Sequence, residues 1–407
     1  MNRLKNVKLR DILAIPLFLL SIIPAMIYRL YLRMTEQNFW LIAEENEAHD
    51  NAFVFFDYML AQHPEQKVYY AINSKSPDYQ KMIDSFPEEL LISYGGLKHW
   101  IYYLCAATNI SSQKGAKPNA AICYVLEVYG ILKNHRTFLQ HGVTLNNVDF
   151  LHYSQTKMSL FITSARPEFE FIKKNFGYPE TSVVYTGMPR LDRLHQTHAN
   201  KKKILLMPTW RSWLKLNGKD AVELVNERKN IASSDYIITY NRLIQNDRLL
   251  SFLEKHQLEL YFYPHRNAQD FIQYFQSNSS NVILCSELDF DVQELLIDSS
   301  FLITDYSSVA LDFIYMKKPV VFFQFDEEKF RKYQYSSSYF DYHQTNLGAF
   351  ASDIDSVIDV LEDSFNNNFN VSQDFNIAYQ NFFTLCDNHN SERVFQAIKE
   401  SLQKESK

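Results

Sequence analysis

Residues 301–323 read FLITDYSSVALDFIYMKKPVVFF. A short apolar run gives way to a polar turn, then to apolar residues at helical spacing, then to Lys317, Lys318 and Pro319, and finally to a second apolar run. Pro319 cannot continue a helix, and the two lysines suit its C-terminal end. The stretch is therefore strand, turn, helix, strand, which is the parallel βαβ unit. The same alternation extends toward the N-terminus. With the quoted stretch itself, strands are expected at 204–207, 259–263, 282–285, 301–304 and 320–323, with helices at 242–256, 291–299 and 307–318. Toward the N-terminus the series continues with strands at 39–44, 67–72, 90–93, 137–140, 159–164 and 183–186, and helices at 53–62, 79–86 and 99–107.

Between the two series lies HQTHANKKK, residues 195–203, a polar and basic linker. The pattern predicts an α/β protein of two Rossmann-like halves, with a ligand cleft between them at the carboxyl ends of the strands. The expected organisation is a membrane-associating segment over 1–37, an N-terminal Rossmann-like domain over 38–195, a C-terminal one over 196–375, and a closing helix with a polar tail over 376–407.

The first segment differs in kind. Residues 12–28, ILAIPLFLLSIIPAMIY, carry no charge, and Arg3, Lys5, Lys8 and Arg10 precede them while Arg29 and Arg33 follow. The run is short of the ~20 residues a spanning helix needs, and Pro16 and Pro24 interrupt it. Four leading basic residues would hold the N-terminus in the cytoplasm and send the bulk of a spanning chain outside. A monotopic anchor of Pro-broken helices dipping into the inner leaflet is the expectation. A true span is the second reading and a buried core helix the third.

Composition narrows the rest. The chain has 407 residues, a formal charge of −6, 46% hydrophobic and 22% charged residues, and four cysteines. These values exclude disordered and collagen-like chains, and the acidity argues against a general nucleic-acid binder. Cys105, Cys123, Cys285 and Cys386 are scattered without a CxxC pair, which points to a reducing compartment and away from structural zinc.

Chemistry-bearing residues gather at strand ends. In the turn Thr304–Asp305–Tyr306–Ser307–Ser308, a helix N-terminus and hydroxyls form either a phosphate cradle or a simple N-cap by Asp305 or Ser307. His141 and Gly142 end another strand, where an imidazole can act as a general base or serve as structure. His265 and Arg266 end a third and Arg211 a fourth, each a phosphate grip or a surface charge. Asp289 and Asp291 mimic a metal-holding DxD pattern, but Asp291 is better placed to cap the following helix, so no metal is expected.

The ordered set HG (141–142), GMPRLD (187–192), MPTWR (207–211), PHR (264–266) and DVQELL followed by LITDYSSVALDFIYMKKPVVFF resembles the CDP-glycerol glycerophosphotransferase family. These enzymes build teichoic acids and phosphopolyol-containing capsular polysaccharides. WLIAE (40–44) and HDNAFVFFDYM (49–59) resemble the N-terminal half of polysaccharide-associated members. The resemblance implies a GT-B fold whose C-terminal half binds the nucleotide, with His141 as base and His265 as a second essential histidine. Thr304, Ser307, Ser308, Arg266 and Arg211 would then hold the CDP-glycerol pyrophosphate, with Gly142, Asp305, Asp312, Arg190, Asp192 and Glu44 in support. No cofactor or metal is implied. The acceptor would be a membrane-linked glycan or polyol-phosphate chain at the cytoplasmic face of the membrane, and nucleic acid is not a partner. The family's frequent WHGTPLK reads LQHGVTL here, so the acceptor side around 143–145 departs from the pattern. The alternatives are the same fold using CDP-ribitol or a nucleotide-sugar donor, or a non-catalytic membrane-associated nucleotide-binding protein. Joint retention of His141, His265 and the hydroxyl set argues against the last.

Overall fold

The computed structural model describes residues 8–45, 48–195, 199–216, 221–336 and 338–405. The chain divides into two compact units: one holds the residues up to Val143, Val148–Arg193 and the stretch from Leu385, and the other holds Thr144–Asn147 and Leu194–Thr384. Part of the proposed linker, residues 196–198, lies outside the described residues.

Among the described residues the first unit is built on seven strands: β1 (Trp40–Ala43), β2 (Val68–Ile72), β3 (Leu91–Ser93), β4 (Thr108–Ser111), β5 (Arg136–Phe138), β6 (Leu160–Thr163) and β7 (Val183–Tyr185). All pairings are parallel, in the order β3-β2-β1-β4-β5-β6-β7. The second unit has β8 (Lys203–Met207), β9 (Glu259–Phe262), β10 (Val282–Leu284), β11 (Phe301–Thr304), β12 (Val320–Phe323) and β13 (Ala349–Ala351), again all parallel, in the order β10-β9-β8-β11-β12-β13. Helices covering both faces explain the unbroken apolar strands, since every residue of β1, β11 and β12 is buried. Each sheet starts in its middle, grows one way, then reverses. The reversal falls between β1 and β4 in one unit and between β8 and β11 in the other, where open α/β sheets bind ligands.

Strands β4 and β13 were not expected. TNIS and AFA are short, and neither carries the β-branched apolar run that marks a buried strand. The helix expected over 242–256 is two helices, Asp235–Ile244 and Asp247–His256, because Asn246 caps the second through the Arg248 and Leu249 amides. The single closing helix is likewise two, Gln373–Phe382 and Asn390–Glu405. The second of these packs Val394, Phe395 and Ile398 into the core of the first unit.

The N-terminal run is corrected as well. It forms one helix, Leu9–Met34, that passes through Pro16 and Pro24 without a break. Its 26 residues are about 39 Å long at 1.5 Å each, enough by length and composition to cross a bilayer. Along one side it packs on the helix Leu97–Cys105, with Phe18 5.2 Å from Trp100, Tyr28 5.6 Å from Tyr102, and the Cys105 thiol donating to the Ala25 carbonyl. That packing offsets the hydrogen bonds the prolines cannot make. The other side exposes Leu13, Leu19, Leu20, Ile23, Ile27 and Leu30.

Candidate active site

In the first unit, β5 ends at Phe138 and the chain turns through Gln140, whose φ of +64° is unusual for a residue with a side chain. The turn is held because the Gln140 amide donates to the Ile162 carbonyl at 2.6 Å and to Glu168 at 2.9 Å. His141 follows with its side chain 69% exposed, and its Nδ1 lies 2.5 Å from Asp50 Oδ2. Asp50 is the N-cap of the helix Asn51–Gln62 and is buried. Its other oxygen accepts from Arg190 Nη1 at 2.7 Å, and the same guanidinium donates to the His141 carbonyl. Burial alone would raise the Asp50 carboxyl, but the His141 and Arg190 charges hold it well below the usual range. Asp50 in turn raises His141. With Nδ1 donating to the carboxylate, neutral His141 keeps its lone pair on the exposed Nε2, the arrangement of an oriented general base.

Glu44 sits beneath this pair at the reversal point of the sheet, fully buried, accepting from the amides of His49, Asp50 and Phe53 and from the Ser112 hydroxyl. Burial and the Asp50 charge push its carboxyl up to about 7. Asp192 accepts from the backbone and side chains of both Asn390 and Ser391, which fastens the start of the helix Asn390–Glu405. Gly187 has φ +81°, and a Cβ there would stand 1.7 Å from Asn390 Oδ1. Gly187→Ala is therefore expected to destabilise the first unit by more than the ~1 kcal/mol of backbone strain alone; urea unfolding at unchanged m-value measures it.

In the second unit the parallel register sets Met207 beside Thr304 and Leu206 beside Phe262, so the loops after β8, β9 and β11 emerge side by side. Arg211, after β8, is fully buried. Its Nε and Nη2 bind Asp326 at 2.7 and 3.0 Å, its Nη1 lies 2.8 Å from Asp305, and Tyr236, Tyr306 and Phe330 surround it. Burial works against its charge, but the two carboxylates outweigh it and raise the guanidinium further. Asp305 also accepts from the Thr209 amide at 2.8 Å and the Tyr240 hydroxyl at 3.2 Å. His265, after β9, is half-buried and its Nδ1 accepts from the Asn267 amide at 3.1 Å. A neutral ring held that way carries its proton on Nε2. The two histidines are thus set in opposite tautomers, His141 as acceptor and His265 as donor.

Residues 25–400 match the family described as CDP-glycerol:poly(glycerophosphate) glycerophosphotransferase. The chain belongs to that family. It is 29% identical over 390 residues to the minor teichoic acid biosynthesis protein GgaB of Bacillus subtilis (strain 168), covering 93% of this chain and 42% of that protein. It is 21% identical over 388 residues to a teichoic acid poly(glycerol phosphate) polymerase of the same organism, covering 86% and 46%. The chain thus spans less than half the length of these curated relatives. Among solved structures, the wall teichoic acid polymerase TagF superposes with a TM-score of 0.64 at 17% identity, over 91% of this chain and 90% of that one. A putative UDP-N-acetylglucosamine 2-epimerase from Listeria monocytogenes shares the fold at a TM-score of 0.56 and 12% identity, over 90% and 97%.

Against this family frame, the candidate residues fall into two groups. His141, Gly142, Arg190, Glu44 and Asp192 belong to the first unit, and Arg211, His265, Arg266, Thr304, Asp305, Ser307, Ser308 and Asp312 to the second. Two phosphate-binding assignments are corrected. Arg211 is enclosed by two carboxylates and aromatic rings, so its guanidinium is not presented to a ligand. Thr304 is fully buried and its hydroxyl donates to the Met207 carbonyl at 2.6 Å, tying β11 to β8. Ser307 and Ser308 remain half-buried at the start of the helix Val309–Tyr315, and Ser308 makes no side-chain cap. Arg266 is exposed and stands 3.7 Å from Glu287. Asp312 is buried within the helix Val309–Tyr315. Asp291 caps the helix Val292–Asp298 through the Gln293 and Glu294 amides, as expected. Asp50 was missed; its position directly before a helix, in His49–Asp50–Asn51, reads from sequence as an ordinary cap.

Proposed function

We propose that this chain transfers glycerol phosphate, or a related polyol phosphate, from CDP-glycerol to a hydroxyl of a membrane-linked teichoic acid or capsular polysaccharide acceptor, releasing CMP. The Asp50–His141 pair within a member of this family carries the proposal. In this reading the acceptor oxygen attacks the glycerol-bearing β-phosphorus as its proton passes to His141 Nε2. The bond from that phosphorus to the bridging oxygen breaks, and CMP leaves with the electron pair. Asp50 stabilises the imidazolium so formed, while Arg190 balances the carboxylate. His265 Nε2–H, Ser307, Ser308 and Arg266 supply donors to the phosphates, so that charge is stabilised without a metal. The apolar face of the helix Leu9–Met34 would lie in the cytoplasmic leaflet and bring the chain to its acceptor.

The test is CMP release from CDP-glycerol and from CDP-ribitol, with and without membrane-derived acceptor and EDTA. Acceptor-dependent, EDTA-resistant release from CDP-glycerol is expected; release confined to CDP-ribitol transfers the reading to that donor, and silence with both despite binding removes it. The tautomer of His265 yields a sharper result. A glutamine amide reaches the position of Nε2 whereas an asparagine amide reaches that of Nδ1. His265→Gln should therefore keep most of the rate, and His265→Asn should lose about 10²- to 10³-fold, the usual effect of deleting one donor to the transition state.

A further inference from the structure

We infer that the core of the first unit holds a binding site for one small monovalent anion of halide size, beneath the helices Leu97–Cys105 and Ala120–Val128 and apart from the His141 site. Glu127 there accepts from Lys117 Nζ and from Arg136 Nη1, each at 2.5 Å, and from the Tyr103 hydroxyl. The three charged side chains are 6% exposed or less. Lys117 and Arg136 set two cations against one carboxylate; burial and the Arg136 charge lower the Lys117 ammonium, and a bound anion would offset the excess and hold both cations charged.

Two side-chain donors of the residues around it lack acceptors among the described residues. Arg136 Nη2 is satisfied by the carbonyls of Thr156 and Lys157, but its Nε–H has no hydrogen-bond partner among the described residues. His99 is fully buried, its Nδ1 accepts from the Gly95 amide at 3.0 Å, and its Nε2 therefore carries the proton, likewise with no partner. Burial drives that imidazole down to about 3, so it contributes a neutral N–H rather than further charge. His99, Lys117 and Arg136 line one cavity of about 10 Å³, room for a single particle of roughly the size of a water. Asn109 Oδ1, also on the cavity wall, is the one unpartnered acceptor among these lining groups. A water would serve Asn109 and some of the donors but would leave the positive charge uncompensated. An anion satisfies the N–H groups and the charge together.

The experiment compares thermal unfolding of the full chain in sodium gluconate, chloride and bromide at one ionic strength, for the wild type and His99→Phe. The wild type should gain a saturable rise in Tm with chloride and bromide, and His99→Phe should lose that dependence while keeping its circular dichroism spectrum. Crystals soaked in bromide should show an anomalous peak within hydrogen-bonding distance of Arg136 Nε and His99 Nε2. Equal halide responses in the two proteins, or water density without anomalous signal, would overturn the proposal. If His99→Phe does not fold, the bromide map decides alone.

Discussion

Replacing His141 by alanine is expected to lower acceptor-dependent CMP release by roughly 10²- to 10⁴-fold while leaving the fold intact, because the ring is largely exposed and contributes a proton-accepting nitrogen more than packing. Asp50→Asn provides the more informative partner. Asp50 raises His141 above its ordinary value of 6.5, and a general base works only when unprotonated. The acid limb of kcat/KM should therefore have its midpoint above 6.5, with rate rising as pH rises. Removing the carboxylate charge lowers the His141 value, so in Asp50→Asn the limb should move to lower pH even as the plateau falls through lost orientation. A merely structural Asp50 would lower the plateau and leave the midpoint where it was. Stability responds with its own signs. The raised His141 contributes stability that is complete below 6.5 and fades as pH rises through its folded value. The depressed Asp50 contributes stability present above its ordinary 3.8 that fades as pH falls through its folded value. Together they favour the mildly acidic range between.

Much of the fold was legible because parallel strands buried on both faces read as near-continuous apolar runs, and FLIT, VVFF and WLIA announce this directly. The elements that escaped are those whose stability comes from neighbours rather than from pattern. Strand β4 is TNIS, polar at three of its four residues yet buried over Thr108–Ile110, because Thr108 bonds Thr137 and His135 in the core. The site was legible as positions and not as roles. Strand-end residues were found because loops at the carboxyl ends of a parallel sheet carry function. Whether an arginine faces a ligand or a carboxylate depends on partners distant in sequence: Arg211 meets Asp305 and Asp326, roughly a hundred residues on. Asp50 and His141 are separated just as widely.

Replacing Arg211 by methionine is expected to cost the second unit about 3–5 kcal/mol, the penalty for leaving buried carboxylates without their cation. Asp305 is fully buried and Asp326 nearly so, and Arg211 supplies donors to both. Methionine retains an unbranched stem among Tyr236, Tyr306 and Phe330, so most of the loss would come from the charge rather than from a cavity. Urea unfolding measures the cost, and adding Asp326→Asn to Arg211→Met should recover part of it, because one of the two stranded charges is gone. A phosphate clamp would behave in the opposite way: stability would hold while KM for the donor rose. The prediction also bears on the turn 304–308, because the same Asp305 that pairs with Arg211 accepts from the Thr209 and Tyr306 amides. Losing Arg211 would free the loop after β8 and the loop after β11 together. Any fall in activity should then be matched by a fall in the stability of the unit, and the double variant should restore both in proportion.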